Sequence, residues 1–196
     1  YTGLVVGMFR CLLETAEDTD TKVAVSIFGW SLSNIASDAV KPENRGVFIA
    51  SLMRFLEAYP FVSQLDIDWE YPGIQGASEN VFDPDNDARN YAEFITDLRS
   101  ALNNAHREDV KIGIASGAPQ DKIDAAELQN LIAAGVDTIH LMTYDFFGES
   151  WAEGLAHHTN PVPYTNLQLP TNREGTNLGV TRQRNTKKKT TSRRIR

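Results

Sequence analysis

Residues 65–72 read "LDIDWEYP", which sets Asp66, Asp68 and Glu70 two residues apart inside an otherwise apolar, strand-like run. Successive side chains of a strand point to opposite faces, so the three carboxylates share one face while Ile67 and Trp69 share the other. Packing alone would not select that pattern. Three acids crowded along about 13 Å of one strand face raise the energy of the fully ionised state, which asks for a chemical use.

On either side of this stretch, strand and helix signals alternate. "TKVAVSIF" (21–28) reads as a buried strand, and residues 42–59 read as a helix with Pro42 near its first turn and Val47, Phe48, Leu52, Phe55 and Leu56 on one side. After the carboxylate strand, Asp85 or Asn86 offers a cap for a helix that spaces Tyr91, Phe94, Ile95, Leu98 and Leu102 along one face. "VKIGIAS" is a third strand, residues 124–134 form a helix stopped by Gly135, and "DTIHLMTY" is a fourth strand. Repeated strand-then-helix units with few hairpin signals imply right-handed crossovers and a parallel sheet covered by helices. The fold class is therefore α/β. No G-x-G-x-x-G or P-loop follows any strand, which disfavours a doubly wound nucleotide fold. A (β/α)8 barrel places catalytic groups at the carboxyl ends of its strands, where Asp68, Glu70, Tyr144 and Asp145 fall. About four βα units are visible, so the expectation is a partial barrel with a parallel inner sheet.

The 196 residues, 41% hydrophobic and 23% charged, suit one globular domain with its own core. The opening "YTGLVVGMFRCLL" is too short to span a bilayer, lacks a basic leading region and carries Arg10 at its centre, so it reads as neither signal peptide nor membrane helix. The single cysteine, Cys11, excludes an internal disulfide and reads as a buried structural thiol. Residues 182–196 hold eight of the 19 Lys and Arg and no acid, leaving residues 1–181 with 11 basic against 26 acidic side chains, a net charge of −15. The acidic part disfavours nucleic acid and anionic membrane as ligands, and the basic end lacks the apolar residues needed for folding. The organisation expected is a partial barrel over 1–169 and a basic, disordered tail over 170–196.

"LDIDWEYPG" resembles the signature strand of glycoside hydrolase family 18, the chitinases and chitinase-like proteins, whose pattern runs D-x-x-D-x-D-W-E. "SIFGW" (26–30) partly matches the family's S-x-G-G-W on an earlier strand, and "MTYD" (142–145) matches its M-x-Y-D on a later one. The three motifs stand in family order, and the similarity extends over about residues 3–165. Residues 121–151 are most similar to bacterial chitinases of the A type.

Spacing constrains the mechanism further. An ordinary glycosidase uses two carboxyls on opposite sides of the scissile bond, about 5 to 9.5 Å apart. Asp68 and Glu70 leave one strand in the same direction about 6.6 Å apart, so the nucleophile must come from elsewhere. The family is the substrate-assisted exception, in which the 2-acetamido carbonyl of the sugar attacks its own anomeric carbon. The resemblance implies that Glu70 is the general acid and later the base, kept protonated near neutral pH by its neighbours. Asp68 would orient the acetamido group and stabilise the oxazolinium, and Asp66 would share a proton with Asp68. Tyr144 would donate its hydroxyl to the acetamido oxygen, Asp145 would contact the same sugar and Met142 would line the pocket floor. Tyr71 and Trp151 complete the expected substrate-binding set.

Other readings of these residues stand beside those. Three alternating acids suit Mg²⁺ or Ca²⁺ on spacing alone, although the family resemblance implies neither metal nor cofactor. Trp69 reads as packing, Trp30 is ambiguous, His157 and His158 read as loop residues, and His140 reads as a satisfied interior side chain. Ser63 and Gln64 replace the first acid of the motif and the glycine after it, and Phe28 replaces the first glycine of the earlier motif, where it is expected to crowd the barrel interior. Family members carry further strands before and after the four visible ones, so the chain reads as an interior piece, a monomer unless the half barrel pairs with another chain. The expected partner is chitin or N-acetylglucosamine oligosaccharides, with no nucleic acid for the barrel and no membrane. The full-length parent is expected to be secreted. The alternative is a catalytically impaired, truncated chitin- or glycan-binding protein.

Overall fold

In the computed structural model, which describes Thr19, residues 21–145, His158 and Thr159, all four expected strands form. Cys11, Trp151, His157 and the tail over 170–196 lie outside the described residues. The chain divides into two units, residues 1–144 and 145–196, and the sheet belongs to the first.

Strands β1 (Val23–Phe28), β2 (Val62–Asp68), β3 (Lys111–Gly117) and β4 (Thr138–Met142) lie in that order in one sheet, each parallel to its neighbour. A doubly wound sheet reverses its strand order at a switch point. Here the order follows the chain without reversal, as in an arc of a barrel. The connections carry α1 (Ala36–Ala39), α2 (Arg45–Ala58), α3 (Asp87–Asn104), α4 (Gln120–Ala126) and α5 (Leu128–Ala134).

The core lies between the sheet and these helices. Leu65, Ile67, Ile112 and Ile114 from the sheet pack with Ile49, Leu52 and Leu56 of α2 and Leu128 and Leu131 at α5. All five apolar positions expected of α3, Tyr91, Phe94, Ile95, Leu98 and Leu102, are buried there. Trp69 packs as expected, buried and edge-on to Tyr91 at a centroid distance of 5.1 Å.

Several local expectations change. Val47 is 71% exposed, because the buried stripe of α2 runs through Ile49, Leu52 and Leu56 at helical spacing and turns Val47 outward. Asn86 is the residue before α3 but makes no side-chain cap bond. The helix expected over 124–134 is two helices, since Glu127 between them sits in the left-handed region at φ 47° and ψ 53°. Gly135 then ends α5 in the left-handed conformation, as expected. Phe28 also has positive φ, 78°, and its ring packs against Phe48 of α2 at 5.5 Å in the helix layer. The residue that replaces a glycine therefore adopts a backbone conformation suited to glycine, and its ring leaves the inner face uncrowded.

Candidate active site

The inner face of β2 presents Gln64, Asp66 and Asp68 in succession, and Glu70 follows two residues beyond Asp68. Alternation puts Leu65, Ile67 and Trp69 into the core, and this buried set fixes the acids on the opposite face.

Asp66 is seated across three strands. It lies opposite Gly113 in the register of β2 and β3, and a Cβ on Gly113 would fall 1.9 Å from Asp66 Oδ1. Only a residue without a side chain leaves room there. An isolated glycine inside a strand pattern is the sequence signal of such a close approach. Gln64 Nε2 donates to Asp66 Oδ1 at 2.7 Å, and His140 Nε2 of β4 lies 3.3 Å from the same oxygen. His140 is 54% exposed in this structure, so it is a partner of Asp66 on the open inner face rather than an enclosed interior residue.

Asp68 is half-buried, and its Oδ1 has no hydrogen-bond partner among the described residues. Burial, and then the charge of Asp66, raise the Asp68 carboxyl above its ordinary value. Gly29, at φ 86°, follows β1 and donates its N–H to the Asp68 carbonyl at 2.7 Å.

Glu70 is 8% exposed, and its main chain is held on both sides. Its N–H donates to Ser33 Oγ at 2.9 Å, and its carbonyl accepts from Asn80 Nδ2 at 2.7 Å. A Cβ at Gly76 would fall 2.0 Å from that carbonyl, so the loop carrying Asn80 can close down only on a glycine. The hydroxyl of Tyr71 is hydrogen-bonded to Glu70. Burial first, then the Glu70 charge, push the Tyr71 phenol up, which keeps it a proton donor. Lys122 of α4 stands over the Tyr71 ring at 4.4 Å and donates to the Gln75 carbonyl at 2.8 Å.

The structure thus brings Asp66, Asp68, Glu70 and Tyr71 to one end of β2, and Tyr144, just past β4, lies close enough to Tyr71 to raise its phenol further. Met142 is the last residue of β4, paired with Gly117. Asp145 opens the second unit, where its carboxylate lies 3.5 Å from His158 Nδ1. Ser33, Asn80, Gly76 and Lys122 carry no local sequence signal, because each acts on a residue distant along the chain. Among the described residues, no group of three or more His, Cys, Asp or Glu is arranged to hold a metal ion.

Comparison with known proteins places this geometry in context. The family model for glycosyl hydrolases family 18 matches residues 7–190. Chitinase 2 of Yersinia entomophaga is 43% identical over 141 residues, which cover 70% of this chain and 22% of that protein. Chitinase A of Pseudoalteromonas piscicida is 35% identical over 71% of this chain and 17% of its own length. The solved structure of chitinase ChiA74 from Bacillus thuringiensis matches with a TM-score of 0.68 at 35% identity, covering 78% of this chain and 24% of that one. The chain therefore spans about a quarter or less of the length of these relatives.

Proposed function

The chain belongs to glycosyl hydrolases family 18, and from that premise we propose that the site at the end of β2 cleaves β-1,4-linked N-acetylglucosamine polymers by substrate-assisted retaining catalysis. The observation that carries this reading is that Asp68 ends β2 and Glu70 follows it two residues on, buried, with its main chain held at both N–H and carbonyl. Two carboxyls on one side of a sugar cannot flank the scissile bond, so the attacking atom belongs to the substrate. The relatives named chitinases support the substrate class.

Glu70 gives its proton to the glycosidic oxygen as the bond to the anomeric carbon breaks. The acetamido carbonyl oxygen attacks that carbon from the opposite face and forms a cyclic oxazolinium. Asp68 accepts a hydrogen bond from the acetamido N–H, which orients the carbonyl and offsets the developing positive charge. Glu70, now a carboxylate, takes a proton from water as the water attacks the anomeric carbon and opens the ring with net retention. Tyr71 holds Glu70 through its hydroxyl and bounds the sugar site. Tyr144 donates to the acetamido oxygen and Met142 lines the floor. Chitin is an insoluble polymer met outside cells, so the protein that contains this chain acts there. No helix among the described residues is long and apolar enough to cross a membrane.

The test is hydrolysis of a fluorogenic N-acetylglucosamine oligomer by the chain and by Glu70→Gln, with an analogue lacking the acetamido group as control. Glu70→Gln is expected to lower kcat by about 10²–10⁴-fold, the usual contribution of a general acid and base, and the control is expected to resist cleavage. Cleavage that survives the substitution, or equal cleavage of the control, sinks the mechanism. Binding of the oligomer without turnover by the unsubstituted chain identifies a glycan-binding protein instead.

A further inference from the structure

Two side chains, Gln64 of β2 and His140 of β4, reach Asp66 Oδ1, and Thr138 of β4 stands behind Gln64. Asp66 Oδ1 occupies the space that a side chain at Gly113 would fill, and the same ideal Cβ would lie 2.8 Å from Thr138 Oγ1 and 2.9 Å from Gln64 Nε2. Gln64 Nε2 donates to Asp66 Oδ1 at 2.7 Å and reaches Thr138 Oγ1 at 3.3 Å, while His140 Nε2 lies 3.4 Å from Gln64 Nε2 and 3.3 Å from Asp66 Oδ1. An amide N–H can only donate, so Asp66 Oδ1 must accept.

We infer that Gln64 is a positioning residue, backed by Thr138 and His140, which fixes the carboxyl of Asp66 in the Gly113 socket, two residues before Asp68 on the same strand face. The inference rests on the proposed mechanism, in which Asp68 orients the acetamido group, because the charge of Asp66 acts on Asp68. A short carboxyl with no lateral partner rotates about its two side-chain torsions, and each rotation changes the distance from its charge to Asp68. The Gln64 amide removes that freedom. The second hydrogen of the amide goes to Thr138 or His140 on β4, so the clamp spans β2, β3 and β4 and moves only with the sheet. Gln64 acts through Asp66 and does not touch the sugar.

A double-mutant cycle tests this. Gln64→Met keeps the length of the side chain and removes the amide. It is expected to lower kcat about tenfold, a modest share of what misplacement of a reacting group can cost, with KM within twofold. In the Asp66→Asn background the same substitution is expected to change kcat by less than twofold, because the group it positions is already gone. Equal losses in both backgrounds, or a loss confined to KM, overturn the inference. A readout without turnover accompanies it: ¹³C carboxyl spectra of the free protein should give one Asp66 environment in the unsubstituted chain and a shifted or broadened signal in Gln64→Met. An unchanged Asp66 signal also overturns the inference. If the unsubstituted chain fails to cleave, the proposed function fails on its own test, and the carboxyl spectra still judge the clamp.

Discussion

Asp68 is a side chain whose function works against the stability of the fold. Its carboxyl is raised above the ordinary value of 3.8 by burial and by the charge of Asp66. Between that value and the raised native one, the folded protein binds more protons than the unfolded chain, so stability falls as pH rises through the window and stays lower above it. Asp68→Asn should therefore raise the Tm at pH 7 and leave it unchanged near pH 3, where the aspartate is protonated in both states. Calorimetry across pH checks this, and an unchanged Tm at pH 7 would show that the site does not strain Asp68. Phe28 makes a second case at this scale. At φ 78° it meets a left-handed penalty of about 1–2 kcal/mol, offset by packing on Phe48. Phe28→Ala loses the ring and keeps the penalty, whereas Phe28→Gly loses both. Urea midpoints should place the glycine variant about 1 kcal/mol above the alanine variant, and the reverse order would mean that the backbone there is unstrained.

The loop between β2 and α3 depends on one buried carboxylate in the first turn of that helix. Asp87 is fully buried; its Oδ1 accepts from Ser37 Oγ at 2.6 Å, and its Oδ2 accepts from the Gly73 N–H at 3.0 Å and the Asp83 N–H at 2.7 Å. It ties both ends of the loop that carries Gly76 and Asn80, and so it supports the hold on the Glu70 carbonyl. Asp87→Ala takes the acceptor from three donors, of which Ser37 is buried, and should cost about 1–3 kcal/mol. Hydrogen exchange should accelerate at Gly73 and Asp83 far more than at Ile112 and Ile114, and uniform acceleration would mean that Asp87 supports the whole fold rather than the loop. The sequence marked the residues around Asp87 as a helix start but not this role. Cap preferences concern the nearest few residues, whereas Ser37 lies 50 positions away along the chain. For the same reason the break at Glu127 was not legible: periodicity records which face is buried and says nothing of a single left-handed residue between two short helices.

At the scale of the whole chain, β1 and β4 each have a strand neighbour on one side only among the described residues, and Trp30, Leu32, Ile35, Val81 and Leu141 are exposed. Unpaired strand edges beside apolar surface favour association. The 196-residue polypeptide should elute from a sizing column above its 21.8 kDa mass and enhance the fluorescence of an apolar dye; a monomer that leaves the dye dark would mean that other residues of the chain cover these surfaces. The sequence by itself determined the parallel strand and helix order, the core face of α3 and the side of β2 on which Asp66 and Asp68 stand. Those features follow from repeats of two and 3.6 residues, which act between near neighbours. Only the tertiary structure decided that Gly113 makes the socket for Asp66, that Gln64 and His140, 76 positions apart, meet at it, and that Ser33 holds Glu70 from 37 positions away. Hydrogen bonds between strands and loops are set by register and chain closure, and no local pattern encodes either.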